Sequence, residues 1–69
     1  MSKPIPFRKE YNHKGGVRYI VTVPLPVGEY YEYMGEKVKV VGPSLAGMVE
    51  VKCSAGVSYC VPPGELKPI

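Results

Sequence analysis

The chain has 69 residues, a net charge of +3 and 45% hydrophobic residues. A chain of this length forms one domain with a small core, which favours association with a partner or with a second copy. Two cysteines and one histidine are too few for a disulfide framework or a zinc site, so we expect no metal and no cofactor. No segment approaches the roughly 18 apolar residues of a membrane span and no signal peptide is recognisable, so we expect a cytoplasmic protein without a membrane partner.

The N-terminal region carries most of the excess positive charge. Pro4 and Pro6 keep the backbone extended, and we expect residues 1–6 to form a basic arm ahead of a single barrel domain at residues 7–69. Basic side chains can contact nucleic-acid phosphates or an acidic protein. Five of them lie within the first 18 residues, against only one glutamate: Lys3, Arg8, Lys9, Lys14 and Arg18.

Two strands are predicted in the N-terminal half. Phe7 to Tyr11 forms the first, the glycine-containing turn at residues 12–16 follows, and Val17 to Val23 forms the second. Pro24 ends the second strand because it lacks the N–H that a ladder requires. Residues 27–34 show neither a clean strand alternation nor a helical stripe, so we expect a long connecting loop there and leave strand pairing open.

The C-terminal half predicts two tight strand pairs. Charged and apolar residues alternate over residues 36–41, which places Val38 and Val40 inward. A turn at residues 42–47 leads into a strand at residues 48–53. The prolines and glycines are too frequent for a helix of useful length anywhere in the chain, and short strands between turns predict a small all-β barrel or sandwich.

The loop after Cys53 determines a strand register. A three-residue loop at residues 54–56, with Gly56 in the left-handed conformation, pairs Val51 with Tyr59 and directs Cys53 inward. A two-residue loop would split the hydrophobic face, so we prefer the longer loop. Cys60 then points outward, and the two cysteines cannot form a disulfide with each other.

The C-terminal prolines predict a single 3₁₀ turn. Pro62 and Pro63 cannot continue a ladder, and one turn over Pro62–Leu66 places Leu66 on the barrel. Residues 67–69 can then pair as a last short strand.

Three segments together resemble the Src-homology-3-like small barrel: residues 35–40, the hairpin loop at residues 54–56, and residues 61–66. In that family a long loop precedes a strand that begins with glycine and an acidic residue, a hairpin follows, and a 3₁₀ turn leads into the final strand. The strand at residues 35–40 with the Gly42–Gly47 turn is also similar to the KOW variant of ribosomal and transcription-elongation proteins. The resemblance implies an all-β barrel of five to six strands.

Enzyme activity is not expected from this sequence. His13 lies in a glycine-rich turn with no carboxylate nearby in sequence, no lysine cluster activates Cys60, and the glutamates show no pairing typical of acid–base catalysis.

Tyrosine enrichment favours a protein-interaction or assembly module. Six of the seven aromatic residues are tyrosines, and tyrosine is common at interfaces because its ring buries area while its hydroxyl stays hydrogen-bonded. The predicted protein-binding residues are Tyr30, Tyr31, Tyr33, Pro62 and Pro63. Two alternatives remain open: a barrel that binds nucleic acid through the basic residues named above, and a homo-oligomeric barrel with a ligand site at its interface.

Overall fold

Seven β-strands and two 3₁₀ turns build the fold of the computed structural model, which describes residues 3–69. Strand β1 (Phe7–Tyr11) pairs with strand β2 (Val17–Val21) in a separate hairpin. Five further strands form one antiparallel sheet: β3 (Tyr30–Tyr33), β4 (Glu36–Pro43), β5 (Val49–Cys53), β6 (Ser58–Val61) and β7 (Lys67–Pro68). The 3₁₀ turns are Leu45–Gly47 and Pro63–Glu65.

The five-stranded sheet is strongly curved. Its strand order is β6-β5-β4-β3-β7, so in a flat sheet β3 and β6 would lie about 14 Å apart, three times the usual strand spacing. The rings of Tyr33 on β3 and Tyr59 on β6 have centroids only 6.4 Å apart. The predicted all-β small barrel with a 3₁₀ turn before its last strand is therefore confirmed. The two strands predicted in the N-terminal half are also present, although the second ends at Val21 and not at Val23. The 3₁₀ turn at Leu45–Gly47 is an additional element.

The core lies inside the curved sheet. Val38 and Val40 face inward from β4, as their alternation with lysines predicts, and are almost completely buried. Leu66, placed by the second 3₁₀ turn, closes the core as predicted. The buried apolar cluster consists of Ile5, Tyr31, Val38, Val40, Val49, Val51, Cys53, Val61 and Leu66.

The predicted register of the β5–β6 hairpin is confirmed. The Cys53 N–H donates to the Val57 carbonyl oxygen at 3.0 Å, and Val51 lies opposite Tyr59. Gly56 has a φ of 83°, the left-handed conformation that a three-residue loop requires. Cys53 is buried, Cys60 is exposed, and both are free thiols.

Residues 27–34 differ from the long loop that the sequence predicts, because Tyr30–Tyr33 forms β3, a strand that is paired on both sides. This strand pairs with β4 on one side and β7 on the other. A two-residue turn of Met34 and Gly35 connects it to β4, and both turn residues have positive φ, 52° and 79°. The pattern Tyr-Tyr-Glu-Tyr concealed this strand because tyrosine is equally suited to a buried and an exposed position.

The segment before β1 lies against the sheet. Ile5 is part of the core, and the Tyr31 hydroxyl donates a hydrogen bond of 2.6 Å to the Lys3 carbonyl oxygen. Residues 1 and 2 of the predicted arm lie outside the described part of the chain. Residues 3–6 therefore contribute to the packing of the barrel as well as carrying charge.

The β1–β2 hairpin contacts both 3₁₀ turns at glycines. A Cβ atom added to Gly64 would lie 2.7 Å from the ring of Phe7, and one added to Gly47 would collide with the Tyr19 backbone carbonyl. Phe7 and Tyr19 themselves pack edge to face, with centroids 5.7 Å apart. The absence of side chains at the two glycines thus lets the hairpin approach the barrel closely.

Candidate interaction surfaces

The tyrosine cluster is divided between two sides of the sheet. Successive residues of a strand point to opposite faces, so Tyr30 lies on the outer face and is 47% exposed, whereas Tyr31 is 1% exposed in the core. Tyr33 is half-buried on the core side. The three tyrosines predicted to form one surface therefore have three different environments.

The two prolines predicted to bind a partner also differ in their exposure. Pro62 is half-buried at the start of the second 3₁₀ turn, and Pro63 is buried within it. Tyr31 and Pro63 are consequently core residues in this structure, and a partner can reach only Tyr30, Tyr33 and Pro62 among the five predicted residues.

A surface aromatic pair connects β3 with β6. Tyr59, which is 40% exposed, lies beside Tyr33. Interaction with Cys53 raises the pKa of Tyr59 above its usual value of 10.0, and partial burial and the nearby Glu36 act in the same direction. Sequence reasoning did not select Tyr59 as a binding residue, although the predicted register had already placed it opposite Val51.

The two edges of the five-stranded sheet differ in their protection. One edge is β7, which has only two residues, a lysine and a proline; both are features that prevent further strand pairing. The other edge is β6, whose sequence Ser-Tyr-Cys-Val carries no charge and no proline. Cys53 and Val57 form a hydrogen-bonded pair, and such pairs alternate with non-hydrogen-bonded pairs along an antiparallel ladder. Ser58 and Cys60 belong to non-hydrogen-bonded pairs, so their backbone N–H and C=O groups point away from β5.

The basic residues predicted to bind nucleic acid do not form a single patch. Arg8 and Arg18 approach the same carboxylate, Glu10, at 3.6 Å and 3.3 Å. Lys9 lies on the other face of β1, with its Nζ 6.0 Å from the Tyr19 ring centroid. Lys14 lies in the hairpin turn and Lys3 beside the barrel. Glu10 thus offsets part of the positive charge of the hairpin.

A second basic surface lies on the outer face of the sheet. Lys39 on β4 is directly opposite Lys52 on β5, and Tyr30 on β3 is directly opposite Lys39. The Lys37 Nζ lies 4.6 Å from the centroid of the Tyr30 ring. Sequence reasoning missed this cluster because counting charges along the C-terminal half gave near neutrality, while the strand pairing segregates the lysines onto one face.

The side chains considered for chemistry lie on different elements of the described structure. No group of three or more His, Cys, Asp or Glu residues among residues 3–69 is arranged to hold a metal ion. The Cys60 Sγ contacts the Ser44 Oγ at 2.9 Å, and His13 is exposed in the β1–β2 turn. Within the same residues, no helix has the length and apolar character needed to cross a membrane.

Comparison of the chain with protein-family models, curated proteins and solved structures found no match.

Proposed function

We propose that this protein is a non-enzymatic protein-interaction or assembly module that receives an extended segment of a partner along the edge of β6. The observation that carries the proposal is the contrast between the two sheet edges: β7 is blocked by lysine and proline, whereas β6 is uncharged and open. Strand addition at such an edge is a common mode of peptide recognition.

Side chains along β6 supply contacts for that segment. Tyr59 and its neighbour Tyr33 offer aromatic surface at one end of the strand, and Pro62 follows directly at the other end. Main-chain hydrogen bonds to Ser58 and Cys60 would provide affinity, and the aromatic pair would select the partner's side chains. This surface retains Tyr33 and Pro62 from the sequence prediction and adds Tyr59.

The partner is a protein segment, and a second copy of this chain is one source of it. A core of this size provides a thin stability margin, which association would increase. The role is that of a small accessory subunit. We place the protein in the cytoplasm, where a reducing environment maintains free thiols such as Cys53 and Cys60.

A displayed library of random peptides tests the proposal. We expect selection on the wild-type protein to yield peptides that no longer bind Cys60→Pro, which removes one edge N–H. Cys60→Ser keeps that N–H and is the matched control, so it should bind normally. Peptides that bind Cys60→Pro as strongly as wild type, or no selected peptides at all, would contradict edge recognition.

Light scattering distinguishes a partner segment that comes from a second copy of this chain from one that comes from a different protein. A dimer mass that falls to the monomer mass in Cys60→Pro, but not in Cys60→Ser, would identify a second copy as the partner. Circular dichroism shows whether Cys60→Pro is folded. If it is not, the double variant Tyr33→Ser with Tyr59→Ser, which removes the aromatic contacts, is used in its place for both peptide binding and light scattering.

A further inference from the structure

The outer face of the five-stranded sheet concentrates positive charge in two adjacent rows. In one row, Glu32 on β3 lies between Lys67 on β7 and Lys37 on β4. In the next row, Lys39 and Lys52 lie side by side on β4 and β5, with Tyr30 next to Lys39. The first row thus contains an acidic residue between its cations, and the second row does not.

The pair of Lys39 and Lys52 is unfavourable in the free protein. Like charges directly opposite each other on antiparallel strands repel. Within residues 3–69 the ion pairs are those of Arg8 and Arg18 with Glu10, so neither lysine has an ion-pair partner there. Glu50, two residues from Lys52 along β5, is opposite Cys60. An anion between the two lysines would remove the repulsion.

A groove lies at this position and includes an aromatic ring. It has a volume of about 380 Å³, and its lining includes Tyr30, Lys37, Lys39 and Lys52, with Glu36 as its acidic member. Cationic grooves with exposed aromatic rings are how proteins bind single-stranded nucleic acid, because the cations contact the backbone and the rings stack on bases.

We propose that this outer face binds single-stranded nucleic acid, with phosphates between Lys39 and Lys52 and a base stacked on Tyr30. The stacked base uses the face of the ring opposite to Lys37, and Lys37, whose Nζ is 4.6 Å from the ring centroid, supplies a contact to an adjacent phosphate. This site is separate from the hairpin residues considered from the sequence and from the β6 edge. An acidic peptide would use the lysines but would gain little from the ring.

Fluorescence anisotropy with a labelled 15-nucleotide oligothymidylate tests the site over a range of salt concentrations. Three lysine–phosphate contacts predict that log K falls with log salt with a slope of about −2, since each contact contributes about −0.7 for a single strand. Lys39→Gln with Lys52→Gln should reduce the slope to about −0.7. Tyr30→Ala should weaken binding roughly 5-fold to 150-fold.

The matched control is Lys9→Gln with Lys14→Gln, which removes the same charge from the β1–β2 hairpin and should retain the wild-type slope. The proposal is overturned if the oligonucleotide does not bind, if the hairpin variant loses binding while the sheet variant keeps it, or if polyglutamate of equal length competes as well as unlabelled oligothymidylate. Circular dichroism confirms that each variant is folded. Cys60→Pro should bind the oligonucleotide normally, so this test is independent of edge recognition.

Discussion

The Tyr31 hydroxyl donates a hydrogen bond of 2.6 Å to the backbone carbonyl of Lys3, 28 residues earlier in the chain. Tyr31 is buried on the core side of β3, and Ile5 enters the same core two residues after Lys3. The bond therefore joins the N-terminal segment to the central sheet. It gives Tyr31, one of the predicted protein-binding residues, a structural contact within the fold.

This bond predicts a loss of stability at alkaline pH. Burial, followed by the nearby Glu29, raises the pKa of Tyr31 above 10.0. A pKa raised by folding means that the neutral phenol contributes its stability fully below the ordinary pKa, and that this contribution disappears as pH rises through the folded value. Tyr31→Phe should cost about 1 kcal/mol at pH 7.

Urea unfolding between pH 7 and pH 11.5 measures this effect. The stability difference between wild type and Tyr31→Phe should shrink at the alkaline end, because only the wild type loses a phenol hydrogen bond there. Tyr11→Phe is the matched control, since Tyr11 is exposed on β1. A difference that stays constant with pH would contradict the role of the bond.

The sequence predicts the pairing of strands that are joined by a short loop better than the pairing of strands that are joined by a longer connection. The β5–β6 register follows from a local loop and the alternation of Val49, Val51 and Cys53, and it was predicted correctly. The alignment of β4 with β5 was not predicted, because the connection at residues 44–48 and an irregularity between Val40 and Gly42 intervene. The facing of Lys39 and Lys52 depends on that alignment, so the basic site could not be found from the sequence.

The turn between β3 and β4 predicts a stabilising substitution. Met34 has a φ of 52° and is 87% exposed, so its side chain contributes little packing while its backbone adopts a left-handed conformation. Asparagine followed by glycine is strongly preferred in this type of turn. Met34→Asn should raise stability by roughly 0.5–1 kcal/mol.

A thermal melt compares Met34→Asn with Met34→Ala. The asparagine variant should melt several degrees higher than wild type. The alanine variant also removes the long side chain but retains the left-handed penalty, so it should remain within about 0.5 kcal/mol of wild type. Equal stabilisation by both would show that the exposed methionine side chain, and not its backbone conformation, is unfavourable.

The close approach of the hairpin to the first 3₁₀ turn predicts strong destabilisation by Gly47→Ala. The added Cβ would collide with the backbone carbonyl of Tyr19, and Gly47 also has a positive φ of 77°. The collision requires the β1–β2 hairpin to move away from the barrel. The expected cost is at least about 2 kcal/mol, above the roughly 1 kcal/mol expected for the backbone conformation alone.

Gly15→Ala isolates the conformational part of this cost. Gly15 has a similar φ of 82°, but an added Cβ has no neighbour within 4 Å. Denaturant unfolding of the two variants measures the difference. Equal losses would show that the hairpin can shift away from Gly47 at no cost, and that it is only loosely held against the barrel.

The opposed lysines predict that Lys52→Glu stabilises the free protein. The substitution converts a like-charge pair with Lys39 into an opposite-charge pair, which is worth roughly 0.2–1 kcal/mol between antiparallel strands. Lys67→Glu is the reverse experiment, because Lys67 is opposite Glu32, and it should destabilise. Thermal melts at low salt measure both effects, and 0.5 M NaCl should reduce both through screening. Failure of Lys52→Glu to stabilise at low salt would show that Lys39 and Lys52 do not repel, and would remove the electrostatic basis for placing a phosphate between them.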